Sequence, residues 1–246
     1  MKRLLVVLSL VMSIMVLSGC EYIIPPVSSS ELQVKLMATR EIIRESNVGI
    51  RVEVSAEGIT NRNCSFTSKG SGAVYKEDSE YYYVLTNFHV VNTQECTNVE
   101  YAIYLLNFAG EEDTVDAELV IFDEDYDLAV IKFLKDDYII PLIDIDTRLG
   151  TALKRGEMVL SVGNPSGLDA IVTYGEYLRM TNIDLVDFPV IYHTAMIYSG
   201  NSGGMLTDIE GALIGINTWG NPSNTEGLAV PLIKIHEFLT LYDLQP

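Results

Sequence analysis

Gly200-Asn201-Ser202-Gly203-Gly204 places a serine within a run of small residues that can turn tightly and bring backbone amides close to a reacting atom. A serine hydroxyl is a weak nucleophile at neutral pH, so this reading requires a general base and a group that orients the base. The chain supplies both. His89 lies in Leu85-Thr86-Asn87-Phe88-His89-Val90-Val91, and Asp127 opens the apolar run Asp127-Leu128-Ala129-Val130-Ile131. Asp123 and Asp125 are also present, but Asp127 directly precedes a run that reads as a buried strand, where a carboxylate can be held against an imidazole. The same three groups occur on unrelated folds in different chain orders, so the order His89, Asp127, Ser202 restricts the fold as well as the chemistry. The backbone amides of Gly200 and Ser202 are the candidate oxyanion donors, each worth about 3 kcal/mol to a transition state. The chemistry these residues point to is covalent acyl transfer, with neither metal nor organic cofactor.

Outward from this stretch, the apolar pattern has the period of strands. Val48 to Val54 alternates with period two, and strand-like runs follow at Gly72–Tyr75, Tyr81–Leu85, Val99–Leu106, Val115–Phe122 and Leu128–Phe133. A second set comprises Glu157–Val162, Ala170–Tyr174, Val190–Met196, Ala212–Ile216 and Leu228–Val230, with a joint around Asp144–Gly156. Short strands separated by Asp-, Asn- and Gly-rich turns predict two β-barrels, at about 45–143 and about 155–230. Helical spacing from Glu31 to about Ser46 precedes the first barrel, and Pro231–Leu241 reads as a closing helix. The predicted class is all-β, with two six-stranded antiparallel barrels and a C-terminal helix.

The 246 residues are 48% apolar, enough for a sizeable core. A net charge of −18 with no Lys/Arg cluster excludes a nucleic-acid partner. Lys2 and Arg3, the apolar run from Leu4 to about Leu17, and Leu17-Ser18-Gly19-Cys20 have the anatomy of a secretory signal. Leu-Ser-Gly-Cys resembles the bacterial lipobox. Residues 1–19 are then a signal peptide, Cys20 carries lipid, and residues 20–30, with Pro25-Pro26 and Ser28-Ser29-Ser30, form a tether outside the cytoplasmic membrane. Cys64 and Cys96 bracket His89. A bridge between them would close a loop of about thirty residues and contribute roughly 3 to 4 kcal/mol, and two free thiols are the alternative. No Cys/His spacing suits a metal.

With these residues in place, the chain resembles trypsin-like serine endopeptidases of the Deg/HtrA type. The resemblance rests on Gly70-Ser71-Gly72, Thr86 to Val91, Asp127 to Val130, Val162-Gly163-Asn164-Pro165, Gly200 to Gly204 and Ile214-Gly215-Ile216-Asn217-Thr218. It implies one protease domain over residues 31–246, with His89 as base, Asp127 as its orienting acid and Ser202 as nucleophile. It also implies a primary pocket lined by Ala195, Met196, Ile197, Ile216, Asn217 and Thr218, uncharged and suited to small or medium apolar side chains. Asn201 stands where digestive proteases carry the aspartate that pairs with a newly released N-terminus, so activation by that route is not expected. Many relatives carry PDZ domains, and none is expected before Pro246. The expected partners are a protein or peptide substrate and, through Cys20, a membrane. The alternative is a catalytically silent or latent binding module of the same fold. His193 and His236 lack comparable motifs and read as structural or surface residues.

Overall fold

The computed structural model describes residues 30–55, 65–93, 96, 98–106, 112–164, 170–221 and 225–246. The signal and tether of residues 1–29, Cys20 and Cys64 lie outside the described residues.

Helix α1 (Ser30–Glu45) leads into β1 (Asn47–Val54), β2 (Phe66–Glu77) and β3 (Tyr81–Thr86). A one-turn helix α2 (Phe88–Val91) precedes β4 (Val99–Leu106), β5 (Glu112–Asp123) and β6 (Leu128–Leu134). These six strands close into an antiparallel barrel in the order β1-β2-β3-β6-β5-β4. The second barrel contains β7 (Met158–Gly163), β8 (Ile171–Ile183), β9 (Val186–His193), β10 (Met205–Thr207), β11 (Leu213–Gly220) and β12 (Gly227–Pro231). It closes in the order β10-β11-β12-β9-β8-β7, and helix α3 (Leu232–Leu241) follows.

Two differences from the sequence pattern have a physical cause. β10 has only three residues, too short to show a period, and escaped the pattern. β9 begins at Val186, and it ends at His193 because 194–204 leaves the sheet to form the turn that carries Ser202.

Several strands read as unbroken apolar runs because both of their faces are buried. In β6, Ala129, Ile131 and Phe133 pack with Val48, Ile50, Val52, Val84 and Ile103 of the first barrel. The alternate residues Leu128 and Val130 join a cluster shared with Leu160, Val162, Met205, Ile216 and Val230 of the second barrel. That shared cluster also takes Leu36 and Ile43 from α1 and Phe238 and Leu239 from α3, so both helices pack on the core between the barrels. Thr39 Oγ1 donates to the Ile209 carbonyl at 2.9 Å, and Arg44 Nε to the Ala170 carbonyl at 3.2 Å, fastening α1 to loops of the second barrel.

Candidate active site

His89 sits in α2, whose Val90 and Val91 are buried in the first barrel. Those two valines anchor the short helix and leave the imidazole facing out, with its side chain 39% exposed. Phe88 stacks on Phe122 of β5, with ring centroids 5.0 Å apart, which brings α2 against the β5–β6 turn. Asp127 closes that turn in a left-handed conformation, φ 50°. Aspartate tolerates this region better than most residues, since its short side chain can bond locally. The conformation is held by Asp127 N donating to the Glu124 carbonyl, 3.1 Å.

The two residues meet closely. His89 Nδ1 is 2.9 Å from Asp127 Oδ2 and 3.0 Å from Oδ1, and His89 N donates to Oδ1 at 3.0 Å. An ionised carboxylate only accepts, so this contact places the proton of a neutral imidazole on Nδ1 and leaves Nε2 as the acceptor. The Asp127 side chain is only 7% exposed, and Thr218 Oγ1 donates to its Oδ2.

The position of Thr218 comes from an irregularity in the sheet. In the β11–β12 ladder Asn217 faces Ala229 and Trp219 faces Leu228, so Thr218 is the extra residue of a bulge. Freed from the ladder, its hydroxyl reaches Asp127 and its carbonyl accepts from Ser202 Oγ at 3.1 Å. Among the described residues this is the only hydrogen bond of the Ser202 hydroxyl, and none joins it to His89.

The turn around Ser202 is built on glycine geometry. Gly200 and Gly203 have φ of 100° and 85°. A Cβ at Gly203 would lie 2.1 Å from the Ser71 carbonyl oxygen and 2.2 Å from Thr86 Oγ1, so no other residue fits. Gly203 N donates to the Asn217 carbonyl, Gly204 N to the Asn201 carbonyl and Asn201 N to the Tyr198 carbonyl. The amides of Gly200 and Ser202 have no acceptor among the described residues.

Ser71, within the Gly-Ser-Gly motif of β2, ties the first barrel to this turn. Its amide donates to the Ser202 carbonyl at 2.8 Å and its hydroxyl to the Gly200 carbonyl at 2.6 Å, while Asn164 N donates to that hydroxyl at 2.7 Å. The motif was visible in the sequence, but this role was not, because it depends on contact across 129 residues.

The six residues expected in a pocket take up different surroundings. Ala195 and Ile216 lie in apolar core clusters. Asn217 is buried, its Nδ2 donating to Ser161 Oγ at 2.9 Å and to the Met205 carbonyl at 2.8 Å. Thr218 faces Asp127. Met196 is partly exposed, with Tyr198 Oη 3.5 Å from its sulfur. Ile197 lies beside Gly220 and Gly227, where a Cβ would come within 3.4 Å of Ile197 Cβ and 2.4 Å of Ile197 Cδ1 respectively. The Trp219 ring lies 6.3 Å from the His89 ring, inclined by 25°.

His193 is wholly buried beneath Gly227 rather than at the surface. Its ring lies near Asn217 and the Ala195 backbone, without a hydrogen bond of good geometry to either, and burial pushes its pKa down to about 3. His236 is half-buried, its Nε2 2.7 Å from the Ile145 carbonyl. Cys96 is disulfide-bonded, and Cys64, the partner expected for it, lies outside the described residues. Among the described residues no group of His, Cys, Asp or Glu could hold a metal ion, and no helix is long and apolar enough to cross a membrane.

Known proteins resemble this arrangement. The pattern of the family described as "Trypsin-like peptidase domain" matches residues 70–216. Serine protease HTRA1 of Xenopus tropicalis is 34% identical over 185 residues, covering 70% of this chain and 35% of that protein. A probable periplasmic serine endoprotease, DegP-like, of Buchnera aphidicola is 32% identical over 205 residues, covering 80% of this chain and 41% of its own length. This chain therefore spans about two fifths or less of these relatives. Among solved structures, Deg5 superposes with a TM-score of 0.67 at 24% identity, covering 88% of this chain and 99% of its own, a likeness of fold. A serine endoprotease from Yersinia pestis gives 0.63 at 26% identity, covering 89% of this chain and 68% of its own.

Proposed function

This chain belongs to the trypsin-like peptidase family, and on that premise we propose that it is a serine endopeptidase of the Deg/HtrA type acting through Ser202, His89 and Asp127. The observation that carries the reading is the 2.9 Å approach of His89 Nδ1 to a buried Asp127, which leaves Nε2 free to take a proton. Ser202 Oγ attacks the substrate carbonyl as its proton passes to His89 Nε2, and the resulting oxyanion is received by the amides of Gly200 and Ser202. His89 returns the proton to the leaving amine. Water, activated by the same nitrogen, then releases the acyl group.

Ile197 between Gly220 and Gly227 supports cleavage after small or medium apolar residues. The signal-like N-terminus with Cys20, and the periplasmic name of the Buchnera relative, support export and lipid anchoring, with proteins outside the cytoplasm as substrates. A second reading, a site latent at rest, is favoured by the bond from Ser202 Oγ to the Thr218 carbonyl, from which the hydroxyl must rotate before His89 can receive its proton.

The test is labelling of residues 21–246 and of Ser202→Ala with a fluorophosphonate, followed by digestion of an unfolded casein. Labelling and cleavage that both vanish in the variant are the expected result. A folded wild-type protein that neither labels nor cleaves, with or without added peptide activators, overturns the peptidase reading in favour of a binding module.

A further inference from the structure

Asn87 occupies the N-cap of α2, a position where asparagine ordinarily turns its side-chain oxygen onto the first free amides of the helix. Here it makes no such bond. The side chain is fully buried and instead reaches across to the β5–β6 turn, where Nδ2 donates to the main-chain carbonyl of Asp127 at 3.0 Å. Its Oδ1 is left buried without a partner. An unsatisfied buried acceptor is costly, and the amides an N-cap oxygen would reach are already bonded, His89 N to Asp127 Oδ1 and Val90 N to the Asn87 carbonyl. The amide is thus poorly placed for the helix and well placed for Asp127.

Asp127 needs such a hold. Its backbone is left-handed, a conformation that the surroundings must impose. A change of the backbone at Asp127 away from its left-handed conformation would move both its carbonyl and, through Cα, its carboxylate. Asn87 fixes the carbonyl, while two residues later His89 N fixes Oδ1. One short segment therefore grips Asp127 at both ends and carries the imidazole that the carboxylate must meet.

We propose that Asn87 is a positioning residue, whose side chain reaches away from α2 to lock Asp127 in the orientation that faces His89. The assignment rests on the triad reading above and adds to it the group that sets the geometry of the acid.

Asn87→Ser removes the buried, unpartnered Oδ1, and serine is too short to reach the Asp127 carbonyl. Its thermal midpoint should stay close to that of the wild type, the lost bond offset by removal of the unpartnered acceptor, while kcat on a peptide substrate falls about a hundredfold with KM little changed, the scale of a 1 Å misplacement. Asn87→Asp, which has nearly the same shape but presents oxygen to oxygen, should fall at least as far. The second readout is the far-downfield proton resonance of the His89 Nδ1–H···Asp127 bond, followed by NMR in these variants and in Ser202→Ala. It should persist in the wild type and in Ser202→Ala and broaden or vanish in both Asn87 variants. If the resonance and kcat survive in Asn87→Ser, or if activity falls only in proportion to lost stability, the assignment is wrong. Because the resonance does not require turnover, a wild-type protein without activity would overturn the peptidase reading and still leave the hold on Asp127 decided by the spectrum.

Discussion

Asp127 shows how much a single residue can be asked to do: it adopts a strained backbone, accepts from His89 and Thr218, and remains almost entirely buried. His193 is the other residue whose burial has a measurable consequence. Its folded-state pKa of about 3 lies well below the ordinary 6.5 of the unfolded chain. Above pH 6.5 both states are neutral and stability is unaffected. As the pH falls from 6.5 toward 3, the unfolded chain takes up a proton that the folded protein refuses, so His193 erodes stability by about 1.4 kcal/mol per pH unit. Chemical denaturation across this window should show His193→Leu losing less stability on acidification than the wild type. Parallel acid limbs would mean that the imidazole is not buried as described.

At the level of elements, the site depends on one interruption of regular pairing and on one strand stretch that reaches from its barrel to the other. The β11–β12 bulge projects Thr218 out of the ladder, and the Gly-Ser-Gly stretch of β2 sends Ser71 across to the neighbouring barrel. Ser71 bonds the carbonyl of Gly200, the residue whose amide is an oxyanion donor in the proposed mechanism. Ser71→Ala removes the bond to that carbonyl and the bond from Asn164 N. It should cost about 1–3 kcal/mol in stability and lower kcat about tenfold with little change in KM. A peptide boronate, which mimics the tetrahedral intermediate, should lose affinity in parallel with kcat. An unchanged boronate affinity would mean that the turn around Ser202 holds its shape without Ser71.

The whole molecule must keep two barrels in register, because His89 and Asp127 belong to one and Ser202 to the other. Besides the shared apolar core, the chain end contributes: Tyr242 Oη donates to Asp123 Oδ2 at 2.9 Å, Tyr75 Oη to the Leu244 carbonyl at 3.0 Å, and Lys76 Nζ to the Gln245 carbonyl. These bonds tie the segment after α3 back to β2 and β5 of the first barrel. Removal of residues 242–246 should lower stability by about 2–4 kcal/mol, since each lost bond contributes about 1 kcal/mol. Activity should become more sensitive to urea than the fold itself, a comparison made by following turnover and far-ultraviolet circular dichroism in one titration. Coincident transitions in the truncated protein would show that the tail does not set the barrel register.

The sequence by itself determined the all-β class, because strand-period runs and turn residues act over a few neighbouring positions, and a nucleophile turn needs its glycines locally. It also marked His89, Asp127 and Ser202 as candidates, since each stands in a distinctive short motif. What only the tertiary structure decided is which groups meet. No local pattern shows that Thr218 falls on a bulge and turns to Asp127, that Ser71 braces Gly200 from the other barrel, that Asn87 holds a carbonyl in place of its own helix, or that Ala195 and Ile216 belong to the core. Each is a contact between segments distant in the chain, set by barrel closure and by the packing of one barrel on the other. Side-chain direction there follows from register, which a one-residue bulge is enough to change.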